Sequence, residues 1–267
     1  MSNIMEIDRR DDVAIATFAN PPVNAISHAI RSAIMQALDM LQTDAKLRAM
    51  IIRCAGSGFF CGADIREFGR PPQGPMLGEV VAAIAASNKP VVAAIHGQAL
   101  GGGLELAMAC QGRVASAEAL LGLPEVKLGL LPGAGGTQYL PRLAGAERAV
   151  EMICLGEPIG AAAALEAGLI DRLCHDDMID DALALSRRLA EHGWQDTAKR
   201  PMPIDLGEHA ALFARRHARR IRGQDAPAAI LDVLTRSATL PVADGLTIER
   251  EAFERLRDGA QSAALRH

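Results

Sequence analysis

Two glutamates set in apolar runs are the residues of this chain best placed for chemistry. Glu105 lies within "GGGLELAMAC" (101–110), one residue beyond three glycines. A helix starting near Gly101 leaves its first backbone N–H groups without intrahelical partners, at the positive end of the macrodipole. Glycine there lets a ligand oxygen come right up to an N–H. Glu105 follows Gly102 by three residues, so both fall on one helical face. A donor and a carboxylate one turn apart can hold a developing oxyanion while an acid or base moves a proton. A packing explanation is equally open. The glycines could serve only close helix–strand contact, with Glu105 stabilising the first turn of its helix.

Two further segments bear on the choice. In "GFFCGADIREF" (58–68) a strand runs into a tight turn, with Asp64 placed to cap a following helix and the Ala63 N–H exposed as a second donor. In "LGLPEVKLGLLPGAGGTQYLPRLAG" (121–145) a second acid, Glu125, follows Pro124. The glycine-rich "PGAGGTQ" has neither the Gly-Lys-Ser/Thr ending of a P-loop nor dinucleotide spacing, which disfavours nucleotide hydrolysis and NAD binding.

The elements that must position these residues alternate between strand and helix. "VAIATF" (13–18), "AMIIRC" (49–54), "VVAAI" (91–95), a segment near 113–115 and "LIDRL" (169–173) read as strands. Ser27 caps a helix with Ile30, Ile34, Leu38 and Leu41 on one face. Helices are also expected from about Gly101 to Cys110 and before Gly156 and Gly168, where glycine suits a left-handed cap. The pattern is α/β, with helices packed on sheet. We divide the chain into a core, residues 1–194, and a helical C-terminal segment, 195–267. The arginine-rich "RRHARRIR" (215–222) reads as a solvated helical face sooner than as a phosphate site.

Composition narrows the function. Among 267 residues aromatics make up 3% and the formal net charge is -4, which argues against a stacking platform or a general polyanion binder. Five cysteines without a C-x-x-C pair point to free thiols in a reducing compartment. The polar opening "MSNIMEIDRRDD" lacks a signal-peptide core, and the apolar stretch 79–110 is broken by "SNKP" and Glu105. A cytoplasmic protein with no membrane and no nucleic-acid partner is expected.

Taken together, "PPVNAIS" (21–27), "CGADI", "NKPVVAAIHGQALGGGLELAMAC", "GLPEVKLGLLPGAGGTQ" and "GLIDRL" (168–173) resemble the enoyl-CoA hydratase/isomerase (crotonase) family. "LPVADGLTIEREAFERL" (240–256) is most similar to the hydratase portion of multifunctional fatty-acid oxidation proteins. The resemblance implies a spiral of ββα units with a helical C-terminal appendage. It implies that the N–H groups of Ala63 and Gly102 bind the thioester oxygen of an acyl-CoA. Glu105 and Glu125 then handle the protons of one water as it adds syn across a 2-trans double bond.

The resemblance further implies that Gly133 offers its N–H to that water. Cys61, Gly62, Ala63, Asp64, Ile65, Arg66 and Gly102 would lie along the substrate, with Arg66 either near a CoA phosphate or in a surface salt bridge. His28 and His96 receive no catalytic role. No cofactor or metal is implied, because coenzyme A is part of the substrate. A homo-oligomer, trimer or dimer of trimers, is the family's habit, and the multifunctional-type C-terminal segment counts against the stand-alone hexamer. The same site could also serve 3,2-enoyl-CoA isomerisation. The competing readings are another enolate-stabilising acyl-CoA activity, such as isomerase alone, decarboxylase or hydrolase, and a non-catalytic homologue. Both glutamates are present, which favours the hydratase.

Overall fold

The computed structural model describes residues 4–266 except 68, 70 and 175, and only the backbone at Ile65. Its strands are β1 (Met5–Arg10), β2 (Val13–Phe18), β3 (Ala49–Cys54), β4 (Val91–Ile95), β5 (Gln98–Leu100), β6 (Gly112–Ser116), β7 (Leu120–Gly122), β8 (Ile159–Gly160) and β9 (Arg172–Cys174). They form a six-stranded sheet, β1-β2-β3-β4-β6-β9, and a three-stranded sheet, β5-β7-β8. β1 and β2 make an antiparallel hairpin in register from Met5 opposite Phe18 to Arg10 opposite Val13. From β2 onward the large sheet is parallel.

Parallel neighbours need long crossovers, and helices supply them here. They are α1 (His28–Thr43), α2 (Leu77–Ala85), α3 (Gly102–Ala109), α4 (Gly136–Ala144), α5 (Ala146–Leu155), α6 (Ala161–Glu166), α7 (Met178–His192), α8 (Leu206–Arg216), α9 (Asp225–Ser237), α10 (Val242–Arg257) and α11 (Ala260–Leu265). After β4 the chain turns into β5 and then α3; after β6 it turns into β7 and then a 3-10 turn, Pro124–Leu128. This repeat of a strand in each sheet followed by helix is the spiral of ββα units that the resemblance implies.

Alternation along the strands builds two layers. Ala14, Ala16 and Phe18 face the main core, while Val13 and Ile15 face a second cluster completed by Leu183, Leu185 and Leu189 of α7. Ser27 caps α1 by accepting from the Ile30 N–H, and Ile30, Ile34, Leu38 and Leu41 are buried. Each such side chain contributes about 1.5–3 kcal/mol.

The C-terminal helices share the main hydrophobic cluster through Phe213, Ile230, Val233, Leu234 and Leu256. α8 and α9 pack on α5, α10 packs on α4, and α11 packs on the 3-10 turn. None of the described helices is long and apolar enough to cross a membrane.

Some local expectations shift. "LIDRL" enters the sheet only at Arg172, because the Leu169 and Ile170 amides bond to the Ala164 carbonyl and close α6 first. "RRHARRIR" is helical only to Arg216; its arginines are exposed, and Arg220 pairs with Glu157 at 2.9 Å.

Candidate active site

The three glycines before Glu105 have three separate reasons. Gly101 opens α3 with φ +54, a conformation that costs a side-chain-bearing residue, and a Cβ on it would lie 2.8 Å from Oε1 of Glu125. Gly102 presents a bare face: its missing Cβ would sit 2.5 Å from Cδ2 of Leu77 and 3.5 Å from the Ala63 nitrogen. Gly103 packs against the Phe60 carbonyl so closely that no side chain fits. Backbone conformation therefore accounts for Gly101 and close packing for Gly103, while Gly102 stands beside the Ala63 amide.

The second donor arrives from the loop after Phe60. Leu100 of β5 donates to the Phe60 carbonyl at 3.1 Å, and Ile26 donates to Gly62 at 2.8 Å, which pins the Cys61–Asp64 turn beside the start of α3. Gly62, at φ +87, makes the bend. Among the described residues no hydrogen bond uses the Ala63 or Gly102 N–H. Two neighbouring amides are thus left for a ligand. The Gly101 N–H in turn donates to Gly122 at 2.9 Å, which brings the 3-10 turn bearing Glu125 against the entrance of α3.

The acids interact; Glu105 is buried and Glu125 half-buried. Oε1 of Glu105, which is 2% exposed, accepts from the Ala134 and Gly136 N–H groups, both at 2.8 Å. Burial pushes its carboxyl up to about 7 against the pull of those two donors. Glu125 is held well above the usual carboxylate range, first by burial and then by the charge of Glu105. Its Oε2 is shielded from solvent and, among the described residues, has no hydrogen-bond partner. A buried carboxyl oxygen without a partner is costly unless something else meets it, and a water molecule is the natural candidate.

A third acid, absent from the sequence reading, completes the cluster. Glu249 of α10 is 1% exposed and accepts from the Gly135 N–H at 2.6 Å, the Thr137 N–H at 2.9 Å and the Thr137 hydroxyl at 2.5 Å. Burial, followed by the Glu105 charge, pushes its carboxyl up to about 8. Its signal was present in the sequence. Gly245, Glu249, Ala252 and Leu256 recur at helical spacing and form the buried face of α10, so the acid stands where an apolar residue belongs.

Of the expected substrate-lining residues, Asp64 is buried and forms a bidentate ion pair with the exposed Arg66, at 2.8 Å. That is the surface salt bridge considered for Arg66. Cys61 is half-buried, and burial pushes its thiol up. Ile65 opens a short 3-10 turn, and its side chain lies outside the described residues. Gly133 sits under the ring of Phe253 of α10. His28 and His96 bond to the carbonyls of Gly74 and Gly56, away from the acids. Among the described residues no group of three or more His, Cys, Asp or Glu could hold a metal ion.

Comparison with known proteins settles the kinship. The family model described as enoyl-CoA hydratase/isomerase matches residues 8–201. The chain belongs to the enoyl-CoA hydratase/isomerase family. Within it, the chain is 43% identical over 267 residues to the peroxisomal bifunctional enzyme of Danio rerio, covering 96% of this chain and 36% of that protein. It therefore spans about a third of the length of the bifunctional relatives it matches. It is 45% identical over 195 residues to a protein of Bacillus subtilis (strain 168) named a probable enoyl-CoA hydratase, covering 70% of this chain and 76% of the relative. The crystal structure of enoyl-CoA hydratase from Mycobacterium tuberculosis H37Rv superimposes with a TM-score of 0.67 at 28% identity, covering 98% of this chain and 99% of that one.

Proposed function

We propose that this member of the family is an enoyl-CoA hydratase of fatty-acid oxidation, converting 2-trans-enoyl-CoA to 3-hydroxyacyl-CoA. The observation that carries the reading is the pairing of the Ala63 and Gly102 amides, unengaged among the described residues, with two interacting carboxyls. In this reading the thioester oxygen lies between the amides, and one water lies between Glu105 and Glu125. Glu105 takes a proton from the water as its oxygen bonds to the β-carbon. The π electrons pass to the thioester oxygen, where the amides and the α3 N-terminus stabilise the enolate. Glu125, kept protonated by burial and by its neighbour's charge, delivers a proton to the α-carbon. The Gly133 N–H is assigned to the water, and the Cys61–Arg66 turn to the CoA arm, with Arg66 released from Asp64 to meet a phosphate.

The test is Glu105→Gln and Glu125→Gln with crotonyl-CoA. Loss of the enone-thioester absorbance should slow by about 10²–10⁴-fold in each, with CoA-ester binding preserved. Full activity in either variant overturns its assignment. Moving a 3-double bond to the 2-position needs only one base and the same amides, so 3,2-enoyl-CoA isomerase activity on the same site belongs to this reading. We assign no cofactor.

A homo-oligomer, trimer or dimer of trimers, is the assembly we infer from the family. Against the stand-alone hexamer stands the packing of α8–α11 on this chain's own core. Five free cysteines suit the cytoplasm, whereas the names of the peroxisomal relatives point to an organelle.

A further inference from the structure

The turn that holds Glu105 is shared. Along residues 134–137 successive amides alternate: Ala134 and Gly136 donate to Glu105, and Gly135 and Thr137 donate to Glu249. We propose that Glu249 is a positioning residue through which the C-terminal segment fixes the 134–137 turn and sets how readily Glu105 holds its proton. The proposal rests on the hydratase reading for the role of Glu105, but the geometry of the shared turn does not.

The placement is built, and three donors converge on Glu249. Behind them the Gln138 amide nitrogen donates to the Thr137 hydroxyl and to Ser237 of α9, each at 3.0 Å. A side chain at Gly245, one turn before Glu249 on α10, would run into the Gln138 amide oxygen, so α10 can approach this closely only with glycine there. Carboxyls placed so deep are expensive, and apolar residues would pack more cheaply. An acid kept there is organising donors.

The groups that face Glu249 are acids and a phenol: Glu105 from α3, Glu125 from the 3-10 turn and Tyr139 from α4. The cations nearby are engaged elsewhere. Arg250 pairs with Glu254 on its own helix, Arg236 of α9 pairs with Asp232, and Arg142 of α4 bonds to the carbonyls of Gln138 and Arg200. Helix α11 carries no titratable side chain. The charge of the pair is therefore borne by backbone amides and the start of α4, and a proton on one acid eases ionisation of the other. The coupling is reciprocal: since the Glu105 charge raises Glu249, a charged Glu249 raises Glu105 equally.

The experiment is the pH profile of kcat for hydration of crotonyl-CoA by the full chain and by Glu249→Gln, Glu249→Asp and Thr137→Val. Glu249→Gln should move the limb that reports Glu105 down by a fraction of a pH unit while KM stays near wild type. Glu249→Asp, which keeps the charge, should restore the position of the limb. Thr137→Val removes one donor from Glu249, shifts the shared proton toward it, and should move the limb the same way by less. An equal loss of kcat at every pH, with the limb unmoved in Glu249→Gln and Thr137→Val, would overturn the proposal. Should Glu249→Gln not fold, Thr137→Val decides alone. Infrared titration of the buried carboxyls in unliganded protein reads the same shift without turnover. A wild type that fails to hydrate crotonyl-CoA but shows the infrared shift would sink the hydratase reading and leave the coupling standing; an unchanged infrared titration sinks the coupling.

Discussion

The glycine that opens α3 and the second acid share one wall, since a Cβ on Gly101 would lie 2.8 Å from Oε1 of Glu125. Gly101→Ala therefore does two things: it strains a residue at φ +54 and pushes the Glu125 carboxyl aside. A shift of roughly 1 Å in a reacting group is enough to cost about 10²-fold in rate. Steady-state kinetics should show kcat falling by about that factor with KM little changed. An equal rise in KM alone would place Glu125 outside the chemistry.

At Gly102 the expected defect lies in the donor pair. Alanine there keeps the N–H but puts a methyl 2.5 Å from Leu77 and 3.5 Å from the Ala63 nitrogen, in the space the thioester oxygen needs. Gly102→Ala should lose about 10²–10³-fold in kcat, the scale of a lost oxyanion donor. Adding Leu77→Ala removes the clash with α2 but leaves the methyl beside Ala63. The double variant should stay impaired, and recovery would show that Gly102 matters only for packing against Leu77.

The sequence carried the core of this site because its signals are local. Glu105 follows its glycines by a fixed helical offset, and the Cys61–Asp64 turn announces itself with glycine and aspartate. β3 and β4 were legible as short apolar runs, because strands of a parallel sheet are buried on both faces. β1 was not, since "MEIDRR" is a mostly exposed edge strand whose only reason to be extended is pairing with β2. The strands of the small sheet are two or three residues long, too short for any period to show. Glu249 lies 144 positions beyond Glu105. Only the return of α10 over α4 joins them, and no local pattern encodes that distance.

The same three acids make stability depend on pH. Glu105, Glu125 and Glu249 hold their protons in the native state well above the ordinary carboxylate range, chiefly through burial. Between that range and about 8 the native state binds more protons than the unfolded chain, so stability falls as pH rises through this window. Urea midpoints measured from about pH 5 to pH 8.5 should decline. Glu249→Gln should flatten the decline. A midpoint that rises steadily across the window would mean that the acids are ionised in the folded protein at little cost.

Phe253 and Gly133 give a test of how α10 seats the catalytic turn. A Cβ on Gly133 would lie 2.7 Å from the Phe253 ring, so Gly133→Ala overfills this contact and should cost about 1–3 kcal/mol. Phe253→Ala empties it. If the two side chains fit as a pair, the double variant recovers part of the loss, with a coupling of about 0.5–3 kcal/mol in a double-mutant cycle. Alanine at 133 keeps its backbone N–H. Activity in the double variant should therefore return along with stability, because the donor assigned to the water survives. Stability that recovers without activity would instead mean that residue 133 must be glycine for the water itself, and that α10 only covers a turn that is already formed.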